Sequence, residues 1–137
     1  RGRRIAFDYG DSRIGVAICD PDGILATPLP FLDSKHPKVM QQIAALFAEY
    51  EPIAIYLGLP KHLSGSEGEA VSKVENFAAK VAEISSIPVH FVDERLSTVD
   101  AQRRLREAGK SAKDSKSLID SMAAVAILEG GLSREAQ

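Results

Sequence analysis

The first third of the chain consists of short apolar runs separated by turn residues, a pattern typical of β-strands. Runs at residues 4–9 and 13–19 predict two strands joined by a tight turn. The turn sequence Asp-Pro-Asp-Gly comes next, and residues 24–32 predict a third strand, which Pro28 and Pro30 place at an edge of the sheet. We therefore expect a three-stranded antiparallel meander.

Farther along the chain, apolar residues recur every three or four positions, which is the spacing of an amphipathic helix. Helices are predicted in this way at residues 37–50, 70–84, 97–109 and 117–128. Short apolar runs at 53–57 and 89–92 predict two more strands, which the connecting helices make parallel to each other. The predicted order is βββαβαβαα. We expect one α/β domain over residues 1–137, with a single mixed five-stranded sheet flanked by helices.

Length and composition agree with one globular domain. The 137 residues are 45% hydrophobic and 26% charged, close to the average for soluble proteins. The single cysteine, Cys19, cannot form an intramolecular disulfide, and no cysteine–histidine spacing indicates a zinc site. No signal-peptide segment or membrane-length apolar run is found. These features favour a cytoplasmic protein that does not enter a membrane.

Charge is unevenly distributed. The formal net charge of −2 argues against a protein whose whole surface binds nucleic acid by counterion release. Between residues 103 and 116, however, basic residues clearly outnumber acidic ones. This stretch is either a solvated helix end with its loop or the border of a nucleic-acid site.

Three groups of carboxylates occur where apolar residues are expected. Asp8 ends a predicted central strand, and Asp93 and Glu94 follow another buried strand directly. The carboxyl ends of such strands are where open α/β sheets bind ligands. Asp120 interrupts an almost wholly apolar helix and shares a face with Lys116. A buried carboxylate is costly unless it is paired or binds a metal.

Each acid also has an ordinary explanation: Asp8 could cap a turn, Asp93 or Glu94 could cap the next helix, and Asp120 could pair with a cation. A shared site is favoured because one sheet would bring these buried segments together. Magnesium suits such a cluster, since it binds few carboxylates and completes its octahedron with water and phosphate. Two such ions could activate water and stabilise the leaving oxygen.

Four segments, in order along the chain, resemble the signature segments of the YqgF/RuvX family. They are FDYGDSRIGVA at 7–17, YLGLP at 56–60, VDERLST at 92–98 and IDSMAA at 119–124. The resemblance covers nearly the whole chain and implies an RNase H-like fold related to Holliday junction resolvases. The family is described as a candidate pre-16S rRNA nuclease.

The resemblance makes Asp8, Glu94 and Asp120 both the catalytic residues and the ligands of Mg²⁺ or Mn²⁺. It implies a two-metal-ion hydrolase that processes the 5′ end of pre-16S rRNA in ribosome biogenesis, with precursor rRNA and the pre-ribosomal particle as partners. The alternative is a resolvase of branched DNA. A resolvase needs two active sites and hence a homodimer, whereas rRNA trimming needs only a monomer.

The resemblance also implies residues that contact the substrate. Gly10 and Gly15 would let the first hairpin approach the site closely. Arg95 would bind a phosphate through its guanidinium fork or pair with Asp93. Ser97 and Thr98 would cap a helix whose amino end also attracts phosphate.

A loop on the substrate side contains Lys61 and His62, and His62 stands where asparagine is more common. That histidine would contact nucleic acid, shuttle a proton or be an ordinary exposed residue. The basic stretch adds Arg103 and Lys116, because it connects the segments of Glu94 and Asp120 and would border the site.

Two other classes of function compete with a nuclease. A phosphotransferase of the actin and sugar-kinase type has a similar strand–turn–strand phosphate loop, but it needs two such domains, and one domain uses this whole chain. A non-catalytic ribosome-assembly or nucleic-acid-binding module would have no use for buried carboxylates, which repel phosphate.

Overall fold

The structure is a computed structural model that describes residues 2–59, 67–93 and 112–135, with side chains of the last helix described from Ser121 onward. Its strands are β1 (Arg4–Tyr9), β2 (Arg13–Cys19), β3 (Ala26–Asp33), β4 (Ala54–Leu59) and β5 (Val89–Asp93). Its helices are α1 (Val39–Tyr50), α2 (Glu67–Ile84) and α3 (Ala112–Glu135).

The strands form one mixed sheet in the order β3-β2-β1-β4-β5. The first three strands are an antiparallel meander, and β4 and β5 run parallel to β1. The predicted mixed sheet is therefore confirmed. β1 lies at the centre, with β2 on one side and β4 on the other, and the proline-containing β3 lies at an edge.

Side chains of β1 alternate between two cores, one on each face of the sheet. Ile5 and Phe7 belong to the core that α1 and α2 cover, where the Phe7 ring meets Phe47 and Phe77 edge to face at 6.2 and 5.8 Å between centroids. Ala6 belongs to the opposite core, which α3 covers. The direction of each side chain on β1 therefore decides which helices it faces.

Several residues at the contact between α3 and the sheet are small, so the helix lies close to the sheet there. A Cβ atom added to Gly131 would come within 2.7 Å of the Tyr56 ring, which is only 4% exposed. No side chain other than hydrogen fits at this position without moving the ring or the helix.

We expect Gly131→Ala to lower the free energy of unfolding by about 1 to 3 kcal/mol, because overpacking outweighs the helix propensity of alanine. The matched control is Gly68→Ala in α2, where an added Cβ would meet nothing within 4 Å. That variant should be as stable as the native protein or gain up to about 1 kcal/mol. Urea denaturation of both variants checks this, and equal stability of the Gly131 variant would contradict the close seating of α3.

Element boundaries differ from the predictions at several ends, most of all in α3. α3 extends from Ala112 to Glu135 instead of 117–128. Gly130 and Gly131 would terminate an exposed helix, but here they let α3 continue past Val92 and Tyr56. The residues of α3 that follow Gly131 are held by tertiary contacts.

Two of those contacts are ionic or polar: Arg134 Nη1 donates to the Phe91 carbonyl oxygen at 3.1 Å, and Arg4 Nη2 lies 2.6 Å from Glu135 Oε1. Both contacts join residues that are far apart in sequence, so local periodicity could not indicate them.

The third strand was predicted from residue 24 but begins at Ala26. The backbone N–H groups of Ile24 and Leu25 donate to Asp20 Oδ1 at 2.7 and 3.1 Å, which keeps these residues in the loop between β2 and β3. These two bonds hold the pKa of the Asp20 carboxyl below its usual value.

The second predicted helix begins at Glu67 instead of residue 70. The predicted helix at 97–109 lies outside the described residues. Among the helices that the structure describes, none combines the length and apolar character needed to cross a membrane.

Candidate active site at the carboxyl end of the central strand

Asp8 lies near the carboxyl end of β1, the central strand, and is half-buried. Because Ala6 packs in the core beneath α3, alternation puts Asp8 on that same face of the sheet. Backbone pairing on both sides of β1 makes this a rigid support for the carboxylate. The sequence prediction that Asp8 ends a central strand covered on both faces is therefore confirmed.

Glycines flank Asp8 on both neighbouring strands. Gly15 of β2 is its register partner. On the other side, Phe7 pairs with Leu57, so Asp8 is level with Gly58 of β4, which is buried. Neither glycine has a side chain, so β2 and β4 place none directly beside the carboxylate. Sequence reasoning missed Gly58, although it lies within the segment at 56–60.

The carboxyl end of β5 reaches the same edge of the sheet. Leu57 pairs with both Phe7 and Phe91, which puts these parallel strands in register. Val92 packs in the α3-side core, and Asp93, the last residue of β5, is exposed. The chain thus leaves β5 at the edge where Asp8 lies, as predicted. Glu94 itself is outside the described residues.

Ser121 anchors α3 to the sheet next to the level of Asp8. It is fully buried, its hydroxyl donates to the Leu29 carbonyl oxygen at 2.5 Å, and its Oγ accepts from the Val16 N–H at 3.3 Å. Val16 pairs with Phe7, the residue before Asp8. The backbone of Asp120, one residue before Ser121, is therefore tied to this part of the sheet.

A β-bulge creates the space that the Ser121 hydroxyl occupies. Ile14 pairs with Leu32 and Val16 pairs with Leu29, so two residues of β3 face a single residue of β2. The ladder opens there, and Ser121 supplies the missing donor and acceptor. Sequence reasoning did not single out Ser121, because its partners are 92 and 105 residues away.

Gly10 closes the β1–β2 hairpin. Its N–H donates to the Arg13 carbonyl oxygen at 3.0 Å, and an added Cβ would lie 2.8 Å from that oxygen. Ser34 Oγ also donates to the Gly10 carbonyl oxygen at 2.6 Å. The close backbone approach explains a glycine here, and its contact with substrate stays a prediction.

The other predicted substrate contacts lie outside the side chains that the structure describes. These are Lys61, His62, Arg95, Ser97, Thr98, Arg103 and Lys116, the last of which is in the backbone of α3. The described side chains include no cluster of three or more potential metal ligands. Of the predicted triad they contain Asp8 alone, so the triad stays a prediction.

The sheet order and the two helical layers define an RNase H-like fold. Thermus thermophilus RuvC in complex with a Holliday junction substrate has the same fold, with a TM-score of 0.64, 14% identity and coverage of 99% of this chain and 96% of that one. A second T. thermophilus RuvC structure has a TM-score of 0.60, with 98% and 96% coverage.

A family model described as RuvX, Holliday junction resolvase, matches residues 2–134, and the chain belongs to this family. Curated relatives include a candidate pre-16S rRNA nuclease of Streptomyces coelicolor, 49% identical over 98% of this chain and 82% of the relative. A relative of the same name from Streptomyces avermitilis is 49% identical over 98% and 88% of the two chains. The predicted resemblance and nuclease class are confirmed.

Proposed function

We propose that this protein is a metal-dependent nuclease that hydrolyses phosphodiester bonds of precursor 16S rRNA. The observation that carries the proposal is the position of Asp8: a half-buried carboxylate at the carboxyl end of the central strand, between two glycines, facing the helix that contains Asp120. A carboxylate in that place has only glycines beside it on the neighbouring strands and a paired strand behind it.

The chemistry of the donor set fits Mg²⁺ or Mn²⁺, which prefer carboxylate oxygen. Asp8, Glu94 and Asp120 would hold the metal, in the two-ion arrangement expected for this type of hydrolase. A divalent metal there would supply Lewis acidity toward phosphate oxygen and water.

Backbone pairing and one buried side chain hold Asp8 and Asp120 in position. The ladder with β2 includes Asp8 itself, and the ladder with β4 holds β1 up to Phe7. The Ser121 hydroxyl fixes the register of α3 against β2 and β3. Asp8 on β1 and Asp120 on α3 thus both belong to regular structure. This suits a site that must hold its groups within a fraction of an ångström. The glycines beside Asp8 leave the space through which a phosphate would approach.

Ribosomal RNA is the proposed substrate because the curated relatives that match nearly the whole chain are named for it. Branched DNA is the second candidate, since the family description names Holliday junctions. The two differ in assembly: junction resolution needs a homodimer with two sites, whereas rRNA trimming can be done by a monomer.

Cleavage of two labelled substrates by the purified protein tests the proposal. A precursor 16S rRNA fragment and a four-way DNA junction would be incubated with Mg²⁺ or Mn²⁺, with chelator as control. We expect faster cutting of the RNA and no cutting in chelator. Faster cutting of the junction would favour the resolvase, and cutting of neither would favour a non-catalytic assembly module in the pre-ribosomal particle.

The proposed location is the cytoplasm, where a ribosomal precursor is processed. Cys19 is a free, buried thiol whose sulfur accepts the Arg4 backbone N–H at 3.1 Å, and burial raises the pKa of that thiol. A cysteine used as a core residue fits a reducing compartment.

A further inference from the structure

We propose that the cavity between the last turn of α3 and strands β4 and β5 binds a nucleotide, with the phosphate on Arg134 and the base against the His90 ring. The cavity has a volume of about 280 Å³ and is lined by Tyr56, His90, Gly131, Arg134 and Glu135. Sites for small molecules usually measure roughly 300 to 1,000 Å³. A cavity of this size therefore suits a single nucleotide.

The cavity lies on the same face of the sheet as Asp8 but at a distance from it. Tyr56, which packs in the α3-side core, is the register partner of both Ala6 and His90. His90 therefore lies two strands across from β1 and two residues before the level of Asp8. With strands about 4.8 Å apart and roughly 3.3 Å per residue, the Cα atoms of His90 and Asp8 are roughly 12 Å apart. The nucleotide site is thus separate from the proposed metal site.

Arg134 is the cation of this cavity, and the backbone of β5 holds it in place. The pairing with β4 uses the N–H and carbonyl groups of His90, so the Phe91 carbonyl points to the open edge of the sheet. Arg134 Nη1 donates to that carbonyl oxygen at 3.1 Å, and the guanidinium has further N–H groups for a ligand. Within the part of the chain that the structure describes, Arg134 forms no ion pair. Its charge is therefore held at the cavity without being neutralised there.

The acid that lines the cavity is paired with another cation. Arg4 Nη2 lies 2.6 Å from Glu135 Oε1, and Arg4 Nη1 donates to the Gly2 carbonyl oxygen at 2.6 Å. The charge of Glu135 is thus offset by Arg4, and the charge of Arg134 is left to attract an anion. A phosphate is the anion whose oxygens match the fork of a guanidinium.

The ring of His90 provides a surface for a base. His90 is exposed, and its ring packs against the Tyr56 ring with 5.7 Å between centroids and 37° between planes. Tyr56 is itself buried beneath Gly131, so the histidine ring lies on a fixed neighbour. Nucleic-acid bases stack on aromatic and histidine rings with little dependence on base identity. One face of the cavity therefore suits a base and the other a phosphate.

Binding of free nucleotides in the presence of chelator tests the inference without any cleavage. Chelator removes the divalent ions through which the Asp8 site would hold a phosphate. The isotope-labelled full chain would be titrated with adenosine monophosphate, adenosine and inorganic phosphate and followed by NMR. We expect the monophosphate to bind more tightly than either fragment. It should shift the amide signals of His90 and Gly131 but not that of Gly10, which lies near Asp8.

Two variants separate the phosphate contact from the base contact. Arg134→Ala should weaken binding of adenosine monophosphate about tenfold and leave adenosine binding unchanged. His90→Ala should weaken binding of both at least about fivefold and leave binding of inorganic phosphate unchanged. Lys80→Ala is the matched control, since it removes an exposed charge from α2 on the other face of the sheet, and it should bind as the native protein does.

A short single-stranded RNA identifies the source of the nucleotide. Displacement of adenosine monophosphate by the RNA, with affinity that falls in Arg134→Ala, would show that the cavity holds one unit of a nucleic-acid strand. Binding of the monophosphate that the RNA does not displace would show that the ligand is a free nucleotide.

Two results would overturn the inference. One is the absence of binding of adenosine monophosphate at millimolar concentration. The other is an equal loss of affinity for adenosine and its monophosphate in Arg134→Ala, which would indicate a purely structural role of the arginine. Neither result depends on cleavage, so this inference and the proposed function can each fail without the other.

Discussion

Asp8→Asn is expected to abolish cleavage while the protein stays folded and still binds its substrate. The substitution keeps the size of the side chain and removes the charge that would hold a divalent metal. Such a metal contributes several kcal/mol to transition-state stabilisation, and about 4 kcal/mol corresponds to about a thousandfold in rate. Single-turnover cleavage at saturating Mg²⁺ or Mn²⁺ measures the loss.

The thermal stability of the same variant without metal gives an independent result. If several carboxylates meet at this edge of the sheet, neutralising one removes like-charge repulsion, so Asp8→Asn should melt at the native temperature or above it. A large drop in melting temperature would instead indicate that Asp8 is needed for folding.

Asp93→Asn is the matched control for Asp8→Asn. Asp93 ends β5 at the same edge of the sheet, but Val92 packs on the α3 side, so alternation puts Asp93 on the opposite face. The identical change should leave cleavage within about twofold. Native activity in Asp8→Asn, or equal losses in the two variants, would contradict a role specific to Asp8.

Ser121→Ala is expected to have the largest effect on stability among the variants considered. The fully buried hydroxyl bonds the Leu29 carbonyl and the Val16 N–H, and alanine leaves both without this partner. Each unsatisfied buried group costs about 1 to 3 kcal/mol, so we expect a loss of about 2 to 4 kcal/mol. In a chain of this length that lowers the melting temperature on the order of 10 °C.

A matched serine separates this effect from loss of a hydroxyl in general. Ser85 Oγ accepts the Ile87 N–H at 3.0 Å within one turn, and Ser85 is only half-buried. Water can replace that bond, so Ser85→Ala should cost less than about 1 kcal/mol. Calorimetric melting of both variants checks the difference, and equal melting temperatures would contradict the anchoring role of Ser121.

Ser121→Ala should also weaken metal binding, because Ser121 immediately follows Asp120. Residues that orient metal ligands contribute about 10- to 100-fold to affinity. Ser121→Ala should therefore need more Mn²⁺ for half-maximal cleavage. This readout is measured below the melting transition of the variant, so that unfolding does not mimic the effect.

Much of the fold could be predicted because local patterns and connectivity rules point the same way. Apolar runs separated by turn residues predicted the meander, the prolines in β3 predicted an edge, and the crossover helices predicted parallel strands. The position of Asp8 followed from the same reasoning, since an acid that ends a buried run must lie at the edge of the sheet.

What could not be predicted depends on tertiary contact. The pair Gly130 and Gly131 has the local character of a helix end, yet α3 continues because these residues face Val92 and Tyr56. The role of Ser121 depends on a bulge in β3 far away in the sequence. Gly58 can be recognised as a neighbour of Asp8 only from the register of β1 and β4.

The central claim is that acids from distant segments form one divalent-metal site, and calorimetric titration with Mn²⁺ tests it most directly. The native protein, Asp8→Asn, Glu94→Gln, Asp120→Asn and the control Asp93→Asn would be compared at one pH and salt concentration. We predict binding by the native protein and the control, and affinity at least about tenfold weaker in each of the other three. Native Mn²⁺ affinity in Asp8→Asn and Asp120→Asn would contradict the account.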